Sequence, residues 1–228
     1  MFVEKLIDLT HPMKNGMAVW PGHPVFEALA VSSFAAGDIA CNHALHMSEH
    51  SGTHFDAPAH FIPGGQTIDE VPLQRFFGRL VVIDARDAMP DSAVAPGLVT
   101  AFEGLHGKVQ PDDAVLFHFG WGRFWDHPTE ADKFLRDWPG LSGEAADLLI
   151  GRRVRIVGSD AMSIDRFGST DFPAHRRLLA AGVLIGENFA NLDLLPPICR
   201  MTTLPLRIAG GTGSPLRAVA HIDQTAAT

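Results

Sequence analysis

Three imidazoles and one carboxylate fall within eleven residues of this chain, His50-Ser51-Gly52-Thr53-His54-Phe55-Asp56-Ala57-Pro58-Ala59-His60. Neutral imidazole and carboxylate are the donors that a divalent cation such as zinc or manganese takes. Such a cation lowers the pKa of a bound water and polarises a carbonyl, so the chemistry on offer is metal-assisted hydrolysis. Gly52 lets the backbone turn tightly, and Pro58 biases Ala57 towards extended geometry, so the stretch cannot run as an ordinary helix. In an extended stretch, residues two apart share a face, and His54 and Asp56 can reach one ion together. His50 joins them if the chain bends at Ser51-Gly52. The competing reading is a solvated polar loop, since the chain has 12 histidines in 228 residues. Against it, Phe55, Ala57, Pro58 and Phe61 give the segment an apolar side to pack.

Other residues are weaker on their own. His175 lies in PAHRRLLAAG, a helical pattern in which a histidine is usually a surface or capped core residue. Glu187 follows in LIGENF, where a glutamate near a strand end is usually solvated. His60 stands four residues beyond Asp56. Imidazole titrates near neutrality, which suits His60 to carry a proton, and a further metal ligand is the alternative. Trp20, in AVWPGHP, could cover an aryl ring by offset stacking or simply pack beside a turn. His43 and His46 read as surface or supporting groups. Ser163 has no histidine beside it and no Gly-x-Ser-x-Gly elbow, so serine-hydrolase chemistry is not indicated. Gly210-Gly211-Thr212-Gly213 lacks the Lys-Ser/Thr of a phosphate loop.

The run HSGTHFDAPAHF resembles the signature of the cyclase-like metal-dependent hydrolases, which include bacterial kynurenine formamidase and isatin hydrolase. Asp160 to Asp165, Pro173 to Leu179 and Glu187 to Leu192 resemble that family's second block. Trp20-Pro21-Gly22, Leu204-Pro205-Leu206 and Gly213 to Val219 also fit. The resemblance implies His50, His54, Asp56 and Glu187 around one metal, with Asp56, His175 and Glu187 around a second. It implies one or two divalent ions per chain, with zinc first and manganese second, and gives His60 the proton-carrying role and Trp20 a substrate contact. His23 departs from the pattern, where many members carry an acidic residue, which leaves the substrate open. The implied activity is hydrolysis of a carbon–nitrogen bond in a small aryl amide, N-formylkynurenine being the best single substrate. Ring opening of a cyclic amide such as isatin, or of a lactone, is the rival within the class. A non-catalytic metal-binding protein on the same fold is the rival outside it, and a closed structural metal site is a third reading.

The elements that must position these groups read as mixed α/β. Short apolar runs suit strands at Leu6–Leu9, Ala44–Ser48, Leu80–Asp84, Val115–Phe119, Val154–Val157, Val183–Ile185, Leu204–Ile208 and Ala218–Ile222. A helix is expected from Ser142 to Ile150, capped by Ser142, and another from Pro173 through Ala181, ended by Gly182. No composition break divides residues 1–228, so one domain is expected, with its termini in strands. The resemblance adds a three-layer β/β/α, swivelling-domain-like arrangement with a mixed sheet, and a homodimer or homotetramer. The aromatic patch from Phe117 to Trp125 is a pocket wall, a subunit interface or plain core; an oligomer through Trp121 and Trp125 is the expectation. A formal net charge of −8 argues against a nucleic-acid partner, and Arg152-Arg153-Arg155 and Arg176-Arg177 read as solvated faces or ion-pair partners. No apolar run reaches the ~20 residues of a membrane span. Glu4, Lys5 and Asp8 interrupt the N-terminal segment, and Cys41 and Cys199 are too few for a disulfide scaffold, so a cytoplasmic protein is expected.

Overall fold

The computed structural model describes residues 3–224. Its strands and helices run in the order β1 (Val3–Asp8), β2 (Glu27–Ser32), β3 (Asn42–His46), β4 (His54–Asp56), β5 (Phe77–Asp84), β6 (Ala93–Val94), α1 (Gly97–His106), β7 (Ala114–His118), β8 (Gly140–Leu141), α2 (Gly143–Gly151), β9 (Ile156–Ser159), α3 (Pro173–Ala180), β10 (Leu184–Glu187), β11 (Ile198–Pro205) and β12 (Gly213–Gln224). Strands β12, β11, β5, β7, β9, β10 and β4 pair in turn, and β4 returns to β12, closing a barrel-like ring. Within it β5, β7, β9 and β10 are parallel, and the other pairings are antiparallel. β1 pairs with the far half of β12. The result is a single α/β domain dominated by one mixed sheet.

Side-chain alternation along the parallel strands supplies two cores. Leu80, Val82, Leu116, Ile156 and Leu184 point into the ring and meet Phe55, Met201, Leu216, Ala218 and Ala220. The alternate residues Val81, Ile83, Val115, Phe117, Val157 and Ile185 face outward, onto Ala145 and Leu149 of α2 and Ala174 and Leu178 of α3. These strands are buried on both sides, so they read as continuous apolar runs. α2 begins where expected, with Ser142 Oγ accepting from the Ala145 N–H at 3.2 Å. α3 is followed by Gly182 in the left-handed region, at φ +74°.

Several expectations change. β11 starts at Ile198, well before Leu204, because the polar-looking Arg200 and Thr202 lie in a ladder between β12 and β5. Residues 206–208 leave it. α1 was not anticipated; it begins at Gly97 after Pro96, with no side-chain cap to announce it. The aromatic patch is core, not interface: Trp121 is 7% exposed and Trp125 4%. Exposed apolar residues concentrate instead on the β2–β3 hairpin, at Leu29, Val31, Phe34, Ile39 and Leu45. Cys41 and Cys199 are both free.

A half-buried ion pair ties α1 to Arg152, the residue that ends α2, and carries a pH prediction. Arg152 donates from two nitrogens to Glu103, at 2.7 and 2.9 Å, while Lys108 and the Val109 N–H also donate to that carboxylate. The Arg152 hydrogen bonds hold the Glu103 carboxyl at about 2, down from 4.5. A depressed carboxylate contributes stability above its unfolded value and loses it as pH falls towards the folded one. Glu103→Gln should therefore cost about 1–3 kcal/mol at pH 7. The gap from wild type should close as melts are repeated from pH 5 down towards pH 2. A gap that stays constant with pH would rule out the charge as its source.

Candidate metal centre and active site

The ring closes at β4, and that closure assembles the site. In its two antiparallel pairings, His54 lies opposite Glu187 of β10 and Pro215 of β12, while Asp56 lies opposite Ile185 and Gly213. Directly opposed residues share a face, so His54 and Glu187 stand side by side with Asp56 two residues on. Phe55 points the other way into the ring, against Phe76 and Phe189. Gly52 makes the bend before β4 at φ +64°, as the sequence suggested. Gly213 permits the close approach of β12: a Cβ there would fall 2.5 Å from the His50 ring.

The five ligand candidates converge. His54 Nε2 lies 3.4 Å from Asp56 Oδ1 and 3.6 Å from Glu187 Oε2. His175 Nε2 lies 3.3 Å from both Asp56 Oδ2 and Glu187 Oε1. His50 Nδ1 lies 2.7 Å from Asp56 Oδ1. All five side chains are nearly closed to solvent, at 8% exposure or less.

Hydrogen bonds on the far side of each imidazole fix which nitrogen carries the proton. His54 Nδ1 donates to the Gly52 carbonyl at 2.8 Å. His175 Nδ1 donates to Asp165 Oδ2 at 2.7 Å. His50 Nε2 donates to Thr212 Oγ1 at 2.9 Å, while the Thr212 hydroxyl itself donates to Glu49. In the neutral tautomers, three nitrogen lone pairs then face two carboxylates, and Asp56 Oδ2 is buried with no hydrogen-bond partner. Lone pairs facing lone pairs need a cation between them. A metal-ligating histidine whose other nitrogen donates to a carbonyl or carboxylate has the usual form of such a site. The residues fit a divalent ion.

The protonation balance agrees. Burial alone would raise the Asp56 carboxyl, yet hydrogen bonds with His175, His50 and His54 hold it well below the usual range. Burial opposes charge on His54 and His175 as well. Hydrogen bonds with Asp56, and for His175 first with Asp165, nevertheless push both imidazoles up, His175 strongly. Without a metal, the carboxylates hold protons on these rings, and protons and metal compete for the same lone pairs.

His60 stacks on His50 with centroids 3.9 Å apart and meets the His175 ring edge-on at 6.5 Å. Its ligating atoms fall within reach of a group with His50 and Asp56, so both the proton-carrier and the ligand reading keep a geometric basis. Burial pushes its imidazole down to about 4. Above the centre opens a cavity of about 400 Å³, lined by the ligand candidates, His60, Trp20, His23, Phe61, Met162, Ser163, Phe172 and Arg176. Trp20 is at the wall, edge-on to Trp138 at 5.8 Å and near Phe172 at 6.5 Å. His43 and His46 lie on exposed β3, away from it.

Three groups escaped the sequence reading. Asp165 accepts from the Ala174 and His175 N–H groups, at 2.8 and 3.0 Å, as well as from the His175 ring, so it starts α3 and aims its histidine. Phe172 sits just before α3 in the left-handed region, at φ 48°, and nothing in its neighbourhood in sequence marks it. Sequence gives Arg176-Arg177 only as a solvated face or ion-pair partners. Arg177 does pair with Asp147, but Arg176 lines the cavity.

Residues 7–166 match the family model described as "putative cyclase". The chain belongs to the cyclase family. Among its relatives, a kynurenine formamidase from Salinibacter ruber is 31% identical, over 94% of this chain and 96% of the relative. Isatin hydrolase A from Labrenzia aggregata, solved with benzyl benzoate bound, superposes with a TM-score of 0.88 at 32% identity, covering 97% of this chain and 94% of that one. A structure from Bacillus stearothermophilus described as a predicted metal-dependent hydrolase superposes at 0.76 with 25% identity, covering 96% and 98%. The span that matches the cyclase model contains His50, His54, Asp56 and His60. His175 and Glu187 lie beyond it, in the part of the chain that the full-length relatives also cover.

Proposed function

We propose that this cyclase-family chain is a divalent-metal-dependent hydrolase that cleaves the carbon–nitrogen bond of a small aryl amide, with N-formylkynurenine as the leading substrate. The observation that carries the reading is the set of inward lone pairs from His50, His54 and His175, facing Asp56 and Glu187 at the base of an aromatic cavity. A metal bound there supplies Lewis acidity, lowering the pKa of water and polarising the scissile carbonyl. Zinc suits the imidazole-rich set, manganese is the second choice, and Asp56 and Glu187 have oxygens enough to bridge two ions.

The chain's own residues supply the rest. Trp20, Phe61 and Phe172 wall a slot for a flat ring and keep bulk water from it. His60, neutral at working pH because burial holds it at about 4, takes a proton from the attacking water and passes it to the departing aryl nitrogen. The C–N bond breaks as water's oxygen joins the formyl carbon, giving formate and the arylamine. Metal-loaded protein should hydrolyse formanilides faster than isatins or lactones. The likeness to isatin hydrolase A supports the rival, cyclic-amide reading. Isatin turned over while formanilides are untouched would replace the first reading with the second, and a fully loaded protein inert on all of them would favour the non-catalytic one.

Four readings of the whole chain go with this proposal. The domain takes in the segment beyond residue 166, since His175 and Glu187 complete the centre from there. The ring is a flattened barrel whose two walls form the sheet layers beneath the helices, supported by Leu80, Leu116 and Ile156 packing against Leu216 and Ala218. The chain pairs with a second copy of itself through the β2–β3 hairpin, whose strand β3 runs on into the metal loop; light scattering on Leu29→Asp/Ile39→Asp should show a loss of the dimer, and a wild-type monomer at micromolar concentration would refute the pairing. Free thiols at Cys41 and Cys199 support a reducing, cytoplasmic setting. No helix among the described residues is long and apolar enough to cross a membrane.

A further inference from the structure

We propose that Arg176 is a receptor for a carboxylate carried by the substrate at the end away from the scissile amide, an inference that rests on reading the cavity as an amide-hydrolase site. Arg176 is an exposed residue at the cavity wall, one position after His175 on α3. Successive helical residues point about 100° apart, so the turn that aims His175 at the carboxylates also sets Arg176 apart from them. Its Nε donates to the Asp171 carbonyl at 2.9 Å, and its guanidinium carbon lies over the Phe61 ring, 5.9 Å from the centroid. These two contacts anchor the side chain. They leave Nη1 and Nη2, the pair that a carboxylate grips with two parallel hydrogen bonds, without a partner among the described residues.

Three other arginines do have a carboxylate partner. Arg177 pairs with Asp147, Arg166 with Asp91 and Arg152 with Glu103. An unpaired arginine on an open surface is ordinary and solvated. This one is fixed on an aromatic wall whose other contact is the metal centre: Phe61 also stacks on His175, with centroids 4.7 Å apart at 28°. One phenyl ring thus contacts both the candidate ligand and the free guanidinium. An arene lying in the slot with its amide towards His60 would turn its remaining substituent towards Arg176. A neutral formanilide leaves that cation unused. An aryl formamide whose side chain ends in a carboxylate pairs with it. The same charge draws an anionic substrate to the mouth of the cavity.

The test compares two formanilides that differ only in charge, 3-(2-formamidophenyl)propanoate and its propanamide, on metal-loaded wild type, Arg176→Ala and Arg176→Lys. A charge-assisted hydrogen bond is worth about tenfold or more in binding. Arg176→Ala should raise KM for the acid about tenfold, with kcat nearly unchanged, and leave the amide as it was. Arg176→Lys should recover part of the loss, and the wild-type preference for the acid should shrink as salt is raised. Equal losses on acid and amide would mean that Arg176 only packs on Phe61, and a wild type indifferent to the charge would also overturn the proposal. Calorimetry with the deformylated amines, acid against amide, reads the same contact without turnover. If neither formanilide is hydrolysed but the acid binds through Arg176, the hydrolase reading fails and this one stands. If both are hydrolysed and neither assay shows a preference, the reverse holds.

Discussion

Purified His54→Ala protein should hold almost no divalent metal, whereas wild type should hold one or two ions per chain by elemental analysis. The reason is the position of His54 in the ladder. It lies between Asp56 and Glu187 on one face, within 3.6 Å of both, with its other nitrogen committed to the Gly52 carbonyl. Alanine removes a lone pair from the middle of the set and leaves two buried carboxylates facing each other. Asp56→Asn should act as strongly, because it removes charge at the group that contacts His50, His54 and His175 together. Metal bound only to the folded chain stabilises it by about 2.7 kcal/mol at one hundred times Kd. For a chain of this size that is about 5–10 °C in Tm. Chelation should lower the wild-type Tm by that much and leave both variants nearly unmoved. Full metal content in His54→Ala would show that the ligands lie elsewhere.

What the sequence made legible follows the range of the interactions. His54 and Asp56 are local: alternation in an extended stretch and a bend at Gly52 suffice to put them together, and β4 bears this out. Glu187 and His175 are not local. Their place depends on the register of β10 against β4 and on the start of α3, and neither leaves a mark near those residues in the chain. Only resemblance to a family pointed to them. Asp165 escaped because its work is to orient another ligand, which has no spacing signature. Trp121 and Trp125 misled for a different reason. Large aromatic residues suit an interface and a core equally well. The choice was made by the outer face of β7, where Phe117 needs cover and packs in one buried cluster with Trp121, Phe124 and Trp125. Arg176 and Arg177 look alike in sequence, and helical rotation alone separates their surroundings.

His60→Ala should keep its metal and lose about 10²- to 10⁴-fold in turnover, the usual contribution of a positioned acid–base group. The geometry shapes this expectation. His60 lies over the His50 ring and beside His175, so it borders the centre from the cavity side, where leaving group and water would be. Burial lowers its pKa to about 4, and the ring is then neutral throughout the neutral range, able to accept a proton and release it. The loss should shrink for anilides with electron-poor rings, because a good leaving group needs less protonation at nitrogen. The ligand reading makes the opposite demand. With His60 counted among the donors of His50 and Asp56, its removal would take metal, Tm and turnover down together, on good and poor leaving groups alike. Elemental analysis and a melt of the same sample separate the two. A fully loaded variant, slow on poor leaving groups and nearly normal on good ones, is the expected result. An apo variant beside a loaded wild type would make His60 a ligand and leave the leaving nitrogen without a protein proton donor in this assignment.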